Sequence, residues 1–288
     1  MALETNKGRL PVVSVMGEVS HPLQRQPYRI GHDGVPRVVA GAGGITYNLR
    51  VGDPALGWAG DHVEPGVSTK NTDALCNAAY NTLSCVGNVA YIVSGEAKGD
   101  KGYVTGTHGG IEHVLIDFEP GILDRLAIGD KVQVRACGQG LALQAYPTVR
   151  IMNLDPNLLE RMNIREDGAG GLEVGVTAVI PAELMGAGIG VGVPEHGDYD
   201  ITTQDVETLK QHGLENMRFG DLVAVKDRSS LYGRSYRKGA VEIGVVVHSD
   251  SMIAGHGPGF ATLLTANHGE IRPVLDKQAN VAFLLGLR

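Results

Sequence analysis

The side chains of this chain that could do chemistry concentrate in four short glycine-flanked segments: Gly60-Asp61-His62-Val63-Glu64-Pro65-Gly66, Gly106-Thr107-His108-Gly109-Gly110, His196-Gly197-Asp198-Tyr199-Asp200 and Gly255-His256-Gly257-Pro258-Gly259. Glycine lets the backbone turn sharply and approach other groups closely, so an imidazole or carboxylate set between glycines is presented at a cleft more often than packed in a core. In an extended Asp61-His62-Val63-Glu64, His62 and Glu64 point to one side and converge on one divalent ion or one substrate proton. Asp61 then supports them, as a further oxygen donor or as the turn former. The competing reading makes Asp61 only a turn residue and Glu64 a solvated charge before Pro65.

His108 offers a second imidazole, which makes Asp61, His62 and His108 the candidate ligands of a divalent metal ion of unspecified identity. His113 enters a strand and is expected to face solvent or a neighbouring strand. Around His256, the backbone of Gly255, Gly257 and Gly259 is free to present N–H groups to an oxyanion and a substrate, although a strand-connecting turn with an exposed histidine would look the same. Asp198 and Asp200 share a face if extended and could bind a hard cation, but such carboxylates standing alone are usually solvated. Cys85 lacks the Gly-x-Ser-x-Gly type of elbow and reads as a small buried apolar side chain. The glycine runs Gly41–Gly44 and Gly186–Gly192 lead into strand-like Ile45–Val51 and into Pro194, not into helices. They therefore fail the dinucleotide fingerprint, and the second remains a lid or anion nest.

The elements that must position these residues are mostly strands. The chain has 288 residues, 41 glycines, 5% aromatics and a net charge of -7, so its core rests on Val, Ile, Leu and Ala between many tight turns. The acidic balance argues against binding a phosphate backbone, and nucleic acid is not expected as a partner. Cys76, Cys85 and Cys137 form neither a disulfide framework nor a thiolate zinc site, which suits a reducing, cytoplasmic compartment. No apolar run approaches a membrane span, and none at the start reads as a signal peptide. A homo-oligomer is compatible with this composition without being argued by it.

Strands are expected at Leu10–Met16, Val35–Ala40, Ile45–Val51, Val89–Ser94, His113–Phe118, Lys131–Ala136, Leu172–Ile180, Leu222–Lys226 and Val241–His248. Helices are expected at Thr72–Tyr80, with Leu75, Ala78 and Ala79 on one face, after Asp155-Pro156, at Thr203–His212 and at Asp276–Leu285. The reading is a mainly β protein with a few short helices and two barrel-like domains: residues 1–154, a linker helix and glycine-rich break at 155–171, and residues 172–288.

Three resemblances add to this. Gly95-x-x-Lys98-Gly99-x-x-Gly102-Tyr-Val104 with Val114-x-Ile116 resembles the KOW hairpin of small barrels in ribosomal and transcription proteins, but it lacks the basic stripe that RNA contact needs. Gly43-Gly-Ile-Thr-Tyr47, Gly57-Trp-Ala-Gly-Asp-His-Val-Glu-Pro-Gly-Val-Ser68, Thr82-Leu-Ser-Cys85, Thr107-His-Gly-Gly110, Tyr236-Arg-Lys-Gly-Ala-Val-Glu242 and Gly255-His-Gly-Pro-Gly259 resemble a bacterial and archaeal domain-of-unknown-function family with paired N- and C-terminal domains. That resemblance spans nearly the whole chain and implies a two-domain β-rich fold with no assigned activity. Gly220-Asp221-Leu-Val-Ala-Val-Lys-Asp227 with Gly233 and Gly239-Ala-Val-Glu242 resembles the acetamidase and formamidase pattern, which implies site carboxylates at Asp227 and Glu242. Arg228-Ser-Ser-Leu-Tyr232 replaces the histidine-bearing turn of that pattern.

The function expected from these readings is metal-assisted hydrolysis of a small amide, cyclic amide or lactone, with His62, Glu64, Asp227, Glu242 and His256 doing the chemistry. The alternative is a noncatalytic protein whose loops bind a small metabolite, and further behind stands a KOW-type RNA-associated barrel.

Overall fold

The structure, a computed structural model, describes residues 3–24 and 26–288. The first half contains β1 (Val13–Val19), β2 (Arg29–Ile30), β3 (Pro36–Arg37), β4 (Ile45–Thr46), β5 (Gly66–Lys70), β6 (Val89–Ile92), β7 (Lys101–His108), β8 (His113–Asp117) and β9 (Lys131–Ala136). Strands β1, β9, β6, β7, β8 and β5 pair in that order, and β5 returns to β1, which closes a six-stranded barrel. Lys131–Ala136 shows why the sequence does this: alternate residues Val132, Val134 and Ala136 are buried while the charged and polar residues between them face out. Residues 95–116, read as a barrel hairpin, supply the turn after β6 together with β7 and most of β8.

Helix α1 (Ala74–Leu83) begins at Asp73, whose side chain accepts from the Cys76 amide. It buries Asn77, Tyr80 and Asn81, whereas Leu75 is 84% exposed, so the face expected to be apolar points to solvent. Polar satisfaction decides the orientation: Asn77 Oδ1 accepts from the Asn71 amide, and both Asn77 and Asn81 donate to the Glu112 carbonyl. Tyr80 reaches Thr69 at 2.8 Å and lies over Gly17, where a Cβ would sit 2.6 Å from its ring. The strand expected over Ile45–Val51 stops at Thr46, because the Asp53 and Asp117 side chains take the Arg50 and Val51 amides that a ladder would need.

The second half contains β10 (Arg150–Ile151), β11 (Ile164–Glu166), β12 (Leu172–Val176), β13 (Ala178–Ile180), β14 (Tyr199–Asp200), β15 (Leu222–Ser229), β16 (Ser235–Val246), β17 (Gly259–Ala266) and β18 (Ile271–Leu275). Its larger sheet runs β10-β17-β16-β15-β13, with β14 also on β17, and β11-β12-β18 form a second sheet. The β-rich character continues here without the ring closure of the first half. The run Leu172–Ile180 splits at Thr177 into two strands that join different sheets. No strand was expected at 259–266, where β17 lies fully buried. The helices α2 (Pro120–Leu123), α3 (Pro156–Leu159), α4 (Val206–Gln211) and α5 (Val281–Leu284) are short, and Asp155 caps α3 as its Asp-Pro start implies.

The halves share a core. One cluster joins Val86 and Leu115 to Val247, Leu263 and Leu264, and Leu158, Leu159 and Met162 of the expected linker are buried in it. β10 leaves the first half to pair with β17. Among the described residues no helix is long and apolar enough to cross a membrane. With one core cluster spanning both halves, calorimetry should record a single unfolding transition, and Leu115→Ala should lower stability by about 2–5 kcal/mol across the whole of it. Two separate transitions would mean that the halves fold independently.

Candidate metal centre

The four glycine-flanked segments meet at the seam between the barrel and the larger sheet. His62 lies in the loop before β5, His108 ends β7, Asp198 and Asp200 flank Tyr199 at β14, His248 follows β16, and His256 lies in the loop before β17. The halves approach closely enough for glycine to be required: a Cβ at Gly106 would sit 2.2 Å from Val247, and one at Gly197 would sit 2.6 Å from the Gly109 Cα. His62, His108, Asp198, Asp200 and His256 line a cavity of about 330 Å³, with Arg234, Tyr199, His196 and the loop residues Ala187, Gly188 and Val191 on its walls.

Two groups of three side chains stand side by side. In the outer group, His62 Nε2 lies 3.1 Å from His256 Nδ1 and 3.6 Å from Asp200 Oδ2, and His256 Nδ1 lies 2.6 Å from that same oxygen. In the inner group, His248 Nε2 lies 2.8 Å from Asp198 Oδ2, and the His108 ring is 4.1 Å from the His248 ring. The potential ligand atoms within each group are all within 4.8 Å of one another. The outer group reaches the surface through the half-exposed His256, whereas the inner group is buried.

Three of these imidazoles are oriented from behind. His108 Nδ1 contacts Glu64 Oε1 at 2.6 Å, His62 Nδ1 faces Asp61 Oδ1 at 3.3 Å, and His248 Nδ1 meets the Ser249 carbonyl at 2.9 Å. Each therefore turns its Nε2 toward the cluster, the arrangement that metal-binding histidines adopt. Burial, helped by the adjacent His248, holds His108 below its ordinary value and keeps it in the neutral form that binds a metal. Burial alone would depress His248 as well, but Asp198 and Asp200 override it and raise it well above its ordinary value. The same imidazole holds Asp198 low against its own burial, and His248, His256 and His62 hold Asp200 far below the usual carboxylate range.

Glu64 belongs to the support and not to the two groups. His62 has a left-handed φ of 55°, so Asp61–Glu64 is not extended and the expected sharing of a face between His62 and Glu64 does not occur. Glu64 is fully buried, accepts from the Gly43 amide and Ser68 hydroxyl, and lies between His108 and His113, whose proximity drives it well below its ordinary value despite burial. His113, expected at solvent or against a strand, is 0% exposed, because Glu64 binds it. Asp61 stands behind His62, bound to Ser251 at 2.6 Å and to Arg29 at 2.5 Å.

The remaining candidates are dispersed. Asp227 sits at a bulge in β15 with φ 57° and accepts from the Gly239 amide, away from the cavity. Glu242 is fully buried on β16, bound to the Tyr199 hydroxyl and raised by burial. Gly255 is exposed with φ 76°, while Gly257 and Gly259 are places where a side chain cannot fit, since their Cβ atoms would lie 1.8 Å from the Ile201 carbonyl oxygen and 1.9 Å from Asp198 Oδ2. Burial pushes the Cys85 thiol up, in keeping with a packing role.

Sequence reasoning passed over His248 and Arg234 as site residues and left Asp198 and Asp200 between ligands of a hard cation and solvated loop carboxylates. His248 closes an apolar strand run and is followed by Ser-Asp-Ser, and a histidine at the end of such a run was the available signal. Arg234, 3% exposed, donates to the Asp198 and His196 carbonyls and so fixes the loop that carries both aspartates.

The N-terminal domain of unknown function DUF4438 matches residues 28–160, and the family's C-terminal domain matches residues 161–285. A solved structure, titled "Crystal structure of TM1086", is similar over 98% of this chain and 99% of its own, with a TM-score of 0.94 and 46% identity. Among curated proteins none matches. Glu64→Gln removes the one carboxylate between two buried imidazoles and should cost about 3 kcal/mol in denaturant unfolding. A change under about 0.5 kcal/mol would show that Glu64 supports nothing.

Proposed function

The chain belongs to the DUF4438 family, and from the side chains it gathers at one cavity we propose that it is a metal-dependent hydrolase of a small amide, cyclic amide or lactone. The observation that carries this reading is the outer group, in which two imidazoles and one carboxylate converge at the cavity wall. Three protein ligands leave coordination positions for water and for a substrate carbonyl, the pattern of catalytic rather than structural metal sites. Nitrogen and oxygen donors without thiolate suit zinc, manganese, iron or cobalt better than magnesium or calcium. Held by His62, Asp200 and His256, a divalent ion would supply Lewis acidity to a water and to a substrate carbonyl.

The other walls fit such a substrate. A cavity of about 330 Å³ is at the small end of ligand pockets, which typically run about 300–1,000 Å³. The Arg234 guanidinium, fixed by two backbone carbonyls, places positive charge on the wall where a tetrahedral oxyanion would develop. Asp61 Oδ1 stands 3.3 Å behind His62 Nδ1, which favours the ring orientation that turns Nε2 toward the cavity.

Protein stripped with a chelator and reloaded with zinc, manganese or ferrous iron should turn over members of a panel of short amides, lactams and lactones. Asp61→Ala, which removes the support of His62 but no ligand, should lose about 10–100-fold in activity or metal affinity. Absence of turnover by every loaded form, with one small molecule raising the Tm of metal-free protein, would instead make the chain a metabolite-binding protein. Dioxygen consumption by the iron form would move the reading to oxidation, which a group of two histidines and one carboxylate also supports.

A further inference from the structure

We infer that the centre holds two divalent ions rather than one, the second in the inner group His108, Asp198 and His248, with Asp200 shared between them. This deepens the metal-assisted reading and rests on it for the outer ion only. The first observation is a contact that is not a hydrogen bond. His248 Nε2 and Asp198 Oδ2 are 2.8 Å apart and buried, yet neither has a hydrogen-bonding partner of acceptable angle among the described residues. Buried polar atoms are seldom left this way, and two that point past each other share a target. The His248 ring cannot turn to serve Asp198 better, because its Nδ1 is held at 2.9 Å by the Ser249 carbonyl.

The second observation is the space they face. At Gly259 a Cβ would lie 1.9 Å from Asp198 Oδ2 and 2.4 Å from His248 Nε2. Distances of about 2.0–2.2 Å separate a zinc-type ion from imidazole nitrogen and carboxylate oxygen. Any residue but glycine would put carbon within bonding distance of both donors, so β17 starts with the one residue that leaves them clear.

Third, the groups are joined. Asp200 Oδ2 faces His62 and His256, while its Oδ1 lies 3.5 Å from His248 Nε2, so one carboxylate presents one oxygen to each group. The His62 ring lies 5.0 Å from that of His248 and 5.8 Å from that of His108. A carboxylate with one oxygen toward each group is the bridge that a two-metal site needs.

The experiment counts ions. Full-length protein is stripped with a chelator, dialysed against manganese or zinc, freed of excess and analysed for metal per chain, with circular dichroism as the check on folding. Wild type should retain two ions and its manganese form should show a spin-coupled signal. His256→Ala, a change at the half-exposed edge of the outer group, should retain one ion and lose the coupling. Gly259→Ala, which blocks the inner group, should also fall to one. Saturation of wild type at a single ion, or two ions in folded His256→Ala, would overturn the proposal. Two ions without turnover on the amide and lactone panel leave it standing and remove the hydrolase, whereas one ion with turnover does the reverse.

Discussion

The centre depends on how closely two backbones can approach. Where the end of the barrel meets the second-half sheet, Gly106 lies against Val247 and Gly109 against Gly197, with no room for a Cβ at either contact. That approach brings His62 and His108 from one half within reach of Asp198, Asp200, His248 and His256 from the other. A side chain between them would push the seam apart by ångströms, and coordination distances do not tolerate ångströms. The hydrophobic core is built around the same seam, since Leu115 and Val247 belong to one cluster. Packing energy therefore holds the polar cluster together, and the cluster contributes little that would hold it together alone.

Around the seam, charge is arranged in layers. Glu64, Asp61 and the Ser249 carbonyl form an outer layer that fixes imidazole orientation; Arg29 anchors Asp61, and Arg234 anchors the loop that carries Asp198 and Asp200. Glu64 has several donors converging on it and can stay ionised in full burial for that reason. Inside this layer His248 Nε2 and Asp198 Oδ2 are buried without a hydrogen-bonding partner among the described residues.

Much of the fold was legible from periodicity. Lys131–Ala136 alternates cleanly and is a barrel strand with those bounds, and Asp155-Pro156 starts a capped helix. Short-range pattern failed where side chains compete for backbone groups: Asp53 and Asp117 end the strand after Thr46, and Asn77 and Asn81 turn a polar helix face inward. At the centre, His62, His108 and His256 were found because glycines flank them. His248 was not, because it follows a buried strand and its partners lie some fifty residues earlier, a pairing that only the sheet register creates. The likeness to acetamidase and formamidase pointed to Asp227 and Glu242, which lie at a surface bulge and inside the sheet and do not line the cavity.

The strand β10 crosses from the first half to pair with β17 near the other end of the chain. A chain emerging from the ribosome would therefore present His62 and His108 long before Gly259–Ala266 existed to complete the sheet. Until then the barrel, closed by its own six strands, would hold its two imidazoles without their second-half partners. The two groups of three side chains would therefore be assembled only at the last stage of maturation, after synthesis has passed residue 266.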